Sequence, residues 1–278
     1  MLTIHQLAVY PVKSLRGFRV DCAILTPRGL AHDRQWMIVN EANRFVTQRK
    51  YAQMILIHTR IENQQLILYK PSTPELPELT IHMDTVPDTS LIDVVVWKDT
   101  CQALDEGEAA SQWLSKALNI PDKLRLVRIG NTPRPQSKPE LLGEHTHTFF
   151  ADAAPFLVTN DQSLCRLNTH LNHHDIASVT MEHFRPNIVL SGLDAFAEHQ
   201  LGSITHFEYE LQFCYPCQRC VVPTIDIASG VRHPQQQPFS LLAELNAMPE
   251  NAKAPAFGEN AILSRGEGKK IRVGDQLD

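Results

Sequence analysis

Phe213-Cys-Tyr-Pro-Cys-Gln-Arg-Cys-Val-Val-Pro-Thr-Ile-Asp226 carries three of the chain's six cysteines, Cys214, Cys217 and Cys220, at two-residue gaps. Such a run serves an iron–sulfur cluster, a zinc site, a redox pair or one special thiolate, and spacing alone does not choose among them. A ferredoxin-type cubane wants a fourth cysteine close after Cys220, where Val221, Val222 and Pro223 follow instead. Zinc would need a histidine from the distant segment Asn172-His173-His174-Asp175. A thioredoxin-like pair belongs at the start of a helix, where backbone amides lower the thiol pKa, whereas Val221-Val222-Pro223 reads as strand. A single thiolate with a task of its own is what remains.

Outward from this run, composition limits the setting. With 43% hydrophobic residues, 278 residues can bury a substantial core in one large or two ordinary domains. The net charge of -5 gives no overall attraction to polyphosphate, so no nucleic-acid partner is expected, and any basic pocket has to be local. No run approaches the roughly 18 apolar residues of a membrane span, and the start lacks a basic region followed by an apolar block. Six cysteines are too few for a disulfide scaffold of this length. A cytoplasmic protein with reduced thiols and no membrane partner is the expectation.

The first hundred residues read as short strands: Leu2, Ile4, Val9 and Val12 are apolar among polar neighbours, and Trp36-Met37-Ile38-Val39 is aromatic and branched. Glu41-Ala42-Asn43-Arg44 and Glu62-Asn63-Gln64-Gln65 lie between apolar runs as hairpin turns, which predicts an antiparallel, barrel-like or sandwich unit. From Asp105 the period changes. Ala109, Trp113 and Ala117, with Ala110, Leu114 and Leu118, share one helical face, with Asp105 as cap, Glu108 as the capping-box acid and Pro121 as stop. Trp113 is read as core. A junction near Pro121 divides the chain into units 1–121 and 122–278. A strand at Leu124 to Ile129, a Pro-rich surface loop from Asn131 to Gly143, a helix with Leu164, Leu167 and Leu171 begun by Asn160 or Asp161, and a strand Asn187 to Leu190 complete the outline. Cys22, Cys101 and Cys165 sit in apolar patterns as small buried side chains, and His145, His147, His170, His173 and His174 read as surface imidazoles.

Arg219-Cys220-Val-Val-Pro-Thr224-Ile-Asp226, together with His183-Phe-Arg-Pro-Asn-Ile-Val-Leu-Ser-Gly192, resembles the MOSC superfamily. Tyr10-Pro-Val-Lys13-Ser14, His32-Asp33-Arg34-Gln-Trp36 and Thr47-Gln48-Arg49 resemble the β-rich N-terminal domain of the amidoxime-reducing branch. Asp152-Ala-Ala-Pro155-Phe-Leu, Phe257-Gly258-Glu-Asn260 and Ile271-Arg-Val-Gly274-Asp275 resemble the MOSC domain itself. The motifs follow family order along the whole chain. The resemblance implies a mainly β protein with a few helices, a β-rich N-terminal domain followed by a MOSC β-barrel.

It further implies a molybdenum cofactor (Mo-molybdopterin) with Cys220 as metal ligand and catalytic residue, a soft sulfur suited to a metal already bound by dithiolene. Adjacent Arg219 would help hold that thiol deprotonated, leaving Cys217 a neighbour. Lys13, Ser14, Arg34 and Arg185 would contact the pterin or its phosphate, Asn187 and Asn260 would line the same pocket, and Asp152 is the one catalytic acid nominated there. The implied activity is reduction of N-hydroxylated small molecules, hydroxylamino bases or amidoximes, to amines. Electrons would come from a ferredoxin- or flavoprotein-like partner, since no ferredoxin domain follows the last motif. The alternative is a carrier that holds cofactor or sulfur on Cys220 without turnover. Ala153 and Ala154 replace small hydroxyl residues, and Gln218 replaces a small residue before Arg219, which bears on substrate range.

Overall fold

The first strand, Leu2–Val9, takes its partners from the far end of the chain, pairing antiparallel with both Ile188–Ser191 and Gln276–Leu277. In the computed structural model, which describes residues 1–85, 91–130 and 138–278, this strand belongs to a nine-stranded sheet. The order across it is Ser203–Thr205, Glu210–Gln218, Asn251–Arg265, Phe156–Asn160, Ile188–Ser191, Leu2–Val9 and Gln276–Leu277, with Phe18–Val20 and Ala247–Met248 added at the sides. Strand pairing therefore crosses Pro121, and Ile4 and Leu7 share a core with Phe156, Ile188 and Tyr209.

One pair in this sheet, Phe156–Asn160 with Ile188–Ser191, is parallel. Parallel neighbours need a crossover, and the helix Asp161–His173 supplies it. Asn160 caps that helix by accepting from the Gln162 amide, and Leu167 and Leu171 face inward, as the sequence predicts. Cys165 lies on the outer face of the same helix and is exposed, and so is Cys22 at the start of the strand Cys22–Thr26. Of the three cysteines expected inside, only Cys101 is buried. An apolar pattern in sequence does not say which face a given member occupies.

The rest of the first half forms a four-stranded antiparallel sheet, Trp36–Val39, Arg125–Ile129, Asp99–Asp105 and Leu91–Val96, and a three-stranded one, His58–Glu62, Gln65–Tyr69 and Leu79–His82. The expected turn at 62–65 is present, with Asn63 and Gln64 at φ 49 and 59, the left-handed values a two-residue hairpin needs. The turn after Val39 is closed by Asn40, whose Oδ1 accepts from the amides of Ala42 and Arg44. The helix Glu108–Leu118 buries Trp113 and Leu114 against Trp36, Leu66 and Leu126.

Two boundaries depart from the reading. Asp105 ends a strand and pairs with Arg125 across the sheet, so the helix starts later, with Gly107 as cap, and it stops at Asn119 in the left-handed region before Pro121 is reached. Val221-Val222-Pro223 is no strand: the ladder ends at Gln218 and Val222–Thr224 turns as a short 3-10 helix, because Pro223 has no N–H to donate to a neighbour. In the segment read as a loop, residues 131–137 lie outside those described, and Pro139–Leu142 forms one helical turn that buries Leu142. The chain is mainly β with four α-helices among the described residues, and none of them is long and apolar enough to cross a membrane.

Candidate functional site

The cysteine run lies on the strand Glu210–Gln218 and just beyond it. Pairing with Asn251–Arg265 slips register between Phe213 and Tyr215 and again between Pro216 and Gln218, at Cys214 and at Cys217. Regular alternation would set Cys217 opposite to Cys214 and Cys220, but a bulge re-aims the side chains around it. Here Cys217 and Cys220 line one cavity and Cys214 does not. Burial, with Glu259 nearby, pushes the Cys214 thiol up, so it stays protonated. Across the second slip, Gly258 has φ +77, and a Cβ there would meet the Val158 carbonyl at 2.5 Å, so only glycine lets the strands approach this closely.

The cavity holds about 190 Å³ and gathers Lys13, Ser14, Arg34, Asp152, Arg185, Asn187, Arg219, Cys220 and Asn260, residues spread from one end of the sequence to the other. Three of them, Ser14, Arg34 and Arg185, have φ of 67, 49 and 57, a left-handed conformation that costs a side-chain-bearing residue about 1–2 kcal/mol. Tertiary bonds hold them there. The Arg34 amide donates to the Tyr10 carbonyl at 2.8 Å, Gln48 Nε2 donates to the Ser14 carbonyl at 2.7 Å, and Arg34 Nη2 donates to the Arg185 carbonyl at 3.0 Å. Such strain concentrates where side chains must be aimed.

The charge in the cavity is lopsided. Lys13, Arg34, Arg49, Arg185 and Arg219 line it, against Asp152 as the only carboxylate among the described residues. Arg34 pairs with the buried Asp33, and Lys13 and Arg49 both pair with Asp152. Arg185 and Arg219 have no carboxylate partner among the described residues. Arg185 donates to the Leu15 carbonyl at 2.6 Å and stacks at 4.4 Å over the Tyr10 ring, while Arg34 lies 4.5 Å from that ring. Burial, and then the charge of Arg34, push the Arg185 guanidinium down to about 10. Arg219 donates to the Phe184 carbonyl and to Cys217 Sγ at 3.1 Å, and its buried Nε has no partner. A buried, unsatisfied cationic donor costs stability until an acceptor arrives.

Asn187 spends its amide inside the protein: Oδ1 accepts from Arg34 Nη1 at 3.1 Å and from the Leu157 amide at 3.2 Å, so it orients Arg34. Asn260 Nδ2 reaches the Tyr215 carbonyl at 3.4 Å, across the first bulge.

One expectation is corrected. Arg219, adjacent to Cys220, turns to Cys217, since neighbours on an extended backbone point apart. Arg49 is the guanidinium whose charge is coupled to Cys220: burial works against it, but Asp152 and Cys220 together hold it above its ordinary value. Asp152, expected as the acid, lies among cations: burial would raise its carboxyl, but Lys13, Arg49 and the indole of Trp97 hold it well below the usual carboxylate range. It serves as counter-charge. Arg49, Gln48 and Trp97 were missed as site residues; Thr47-Gln48-Arg49 stood out as a motif, whereas nothing in sequence singles out Trp97. The five histidines read as surface are half-buried or exposed and away from the cavity.

Residues 1–121 match the family described as MOSC N-terminal beta barrel domain, and residues 145–278 match the MOSC domain. Mitochondrial amidoxime-reducing component 1 of Mus musculus is 32% identical over 99% of this chain and 81% of its own length. Its Homo sapiens counterpart is 29% identical over 99% and 82%, and mitochondrial amidoxime reducing component 2 of Bos taurus is 30% identical over 82% and 68%.

Proposed function

Because the chain belongs to the family of the mitochondrial amidoxime-reducing components, with their MOSC N-terminal and MOSC domains, we propose that it is a molybdenum-cofactor oxidoreductase that reduces N-hydroxylated compounds to amines. The observation that carries this reading is the pair Arg185 and Arg219, cations without carboxylates, facing the same cavity as the Cys220 thiol. A soft sulfur donor beside surplus guanidinium groups suits a ligand that joins a thiophilic metal to an anionic phosphate. When bound, the cofactor supplies two-electron removal of oxygen from nitrogen, with the electrons returned by a separate donor protein.

In this reading Cys220 is the protein's metal ligand, and Arg49, lining the same cavity, places a positive charge beside it. Arg34, Arg185 and Arg219, with Lys13 and Ser14 beside them, hold the anionic end, each charge-assisted bond contributing about 1.5–3 kcal/mol. Asn187 acts through Arg34. Asp152 pairs with Lys13 and Arg49 and acts as their counter-charge. Ala153, Ala154 and Gln218 face the cavity and are the positions at which substrate range is set. Residues on both sides of Pro121 line the cavity, and a cytoplasmic setting suits six free cysteines.

The test is protein made with cofactor supply, assayed for molybdenum and pterin per chain and for reduction of an amidoxime with a chemical electron donor. Near one equivalent of molybdenum with turnover is expected. Molybdenum retained without turnover would favour the carrier role, and no molybdenum together with stoichiometric zinc or iron that is lost in Cys220→Ser would remove the reading.

A further inference from the structure

Where the helix Asp161–His173 ends against the helix Phe239–Leu245, we propose that His170, His174 and Glu244 form a surface site for one divalent transition-metal ion of the zinc class. His170 and His174 are four apart, so one helical turn stacks their rings, with centroids 4.9 Å apart and planes at 72°. Glu244 comes from the neighbouring helix and brings Oε2 to 3.3 Å from His170 Nε2. The three potential ligand atoms lie within 4.8 Å of one another.

Ligand geometry decides what this group fits. Tetrahedral zinc bonds of about 2.0–2.1 Å set neighbouring ligand atoms about 3.3 Å apart. The His170–Glu244 edge already has that spacing, and His174 reaches it by rotating its side chain. The scaffold beneath is formed without metal, since Leu167 and Leu171 of one helix share a buried cluster with Leu241 and Leu242 of the other. The last turn of a helix, with its unpaired carbonyls, favours a cation. Two imidazoles and one carboxylate leave a fourth position for water and suit zinc, nickel, cobalt or copper better than calcium or magnesium, which prefer all-oxygen shells. The bound ion clasps two helices whose shared core includes Phe257, three residues from the cavity residue Asn260.

This site is separate from the cavity, so its test does not depend on cofactor. Chelator-treated, dialysed protein is titrated calorimetrically with zinc chloride and spectroscopically with cobalt chloride. The Cys217→Ser/Cys220→Ser variant removes the cavity thiols as competing ligands. One zinc per chain that survives in that variant is expected, with visible cobalt bands and no sulfur-to-metal absorption in the near ultraviolet. His170→Ala and His174→Ala should each weaken zinc binding at least tenfold and Glu244→Gln by less, while His173→Ala, one residue outside the group, leaves it unchanged. Zinc should raise Tm in the parent and not in the His170→Ala/His174→Ala variant, with circular dichroism confirming that each variant is folded. Binding that persists in the double histidine variant, that disappears with the cysteines, or that is absent from the parent would overturn the proposal.

Discussion

The outer sheets and the cavity treat arginine in opposite ways. On the hairpin side Arg60 meets Glu78 and Glu62, Arg125 meets Asp105 and Glu108, and Arg128 meets Glu106. In the cavity, Arg185 and Arg219 are brought close to other cations and given carbonyl, sulfur and ring contacts in place of carboxylates. Evolution of a merely stable protein has no use for that arrangement, because a buried cation without a counter-ion is destabilising. The difference separates arginines that hold the fold from arginines that await a ligand.

The sharpest way to break the comparison is at the proposed metal ligand. Cys220→Ser should abolish amidoxime reduction and lower molybdenum content, whereas Cys217→Ser, which alters sulfur contacts to Arg219 and the Gln218 carbonyl, should retain most of both. Equal loss in the two variants would point to a redox pair or a shared metal. Next in size is Arg185→Ala, expected to weaken cofactor retention by about 1.5–3 kcal/mol, roughly ten- to hundredfold, without unfolding. Molybdenum and pterin per folded chain measure it, and wild-type occupancy would reject the arginine's role. Arg34→Ala is a poorer probe, because it strands Asp33, whose side chain is 2% exposed.

A smaller effect belongs to Asp152→Asn. Its carboxyl lies below the usual range, so its contribution to stability is complete above about pH 4 and is lost only as pH falls through the lower folded value. Between about pH 5 and 8 the variant should keep the wild-type acid limb, with the whole activity profile displaced by less than about fivefold, the size of a part-exposed ion pair. An acid limb that vanished in the variant would restore Asp152 as proton donor. Smallest of all is Arg60→Ala: a stability change under about 1 kcal/mol in denaturant unfolding and unaltered cofactor content. A cofactor deficit there would mean that loss of any arginine disturbs the cavity, and the contrast would fail.

Local signals carried the elements well. Asn160 as a cap, the left-handed pair Asn63 and Gln64, and the apolar face of Trp113 and Leu114 all follow from a few neighbouring residues. Where sequence misled, something distant had intervened. Arg125 drew Asp105 into a strand, the register slips opposite Asn251–Arg265 sent Cys217 to the same cavity as Cys220, and Arg49 joined that cavity from a segment 171 residues earlier in the numbering. The motifs located most of the cavity, but not which cation faces which sulfur, since that depends on side-chain direction across strands. Trp97 had no local mark at all, and its indole meets Asp152 only because the turn after Leu91–Val96 is carried to the cavity rim.

The strand Leu2–Val9, embedded beside Ile188–Ser191 and Gln276–Leu277, has a consequence for biosynthesis. Only Leu7, Ala8 and Val9 have a nearby partner, in Phe18–Val20; the other edge waits for a strand more than 180 residues later, and topologies with such distant pairings fold slowly. Lys13 and Ser14 follow directly on that strand, so the wall they form has no fixed position before the sheet closes. On the proposed function, cofactor loading follows closure of the sheet: a chain halted before Ile188 should bind no pterin, however long it is held.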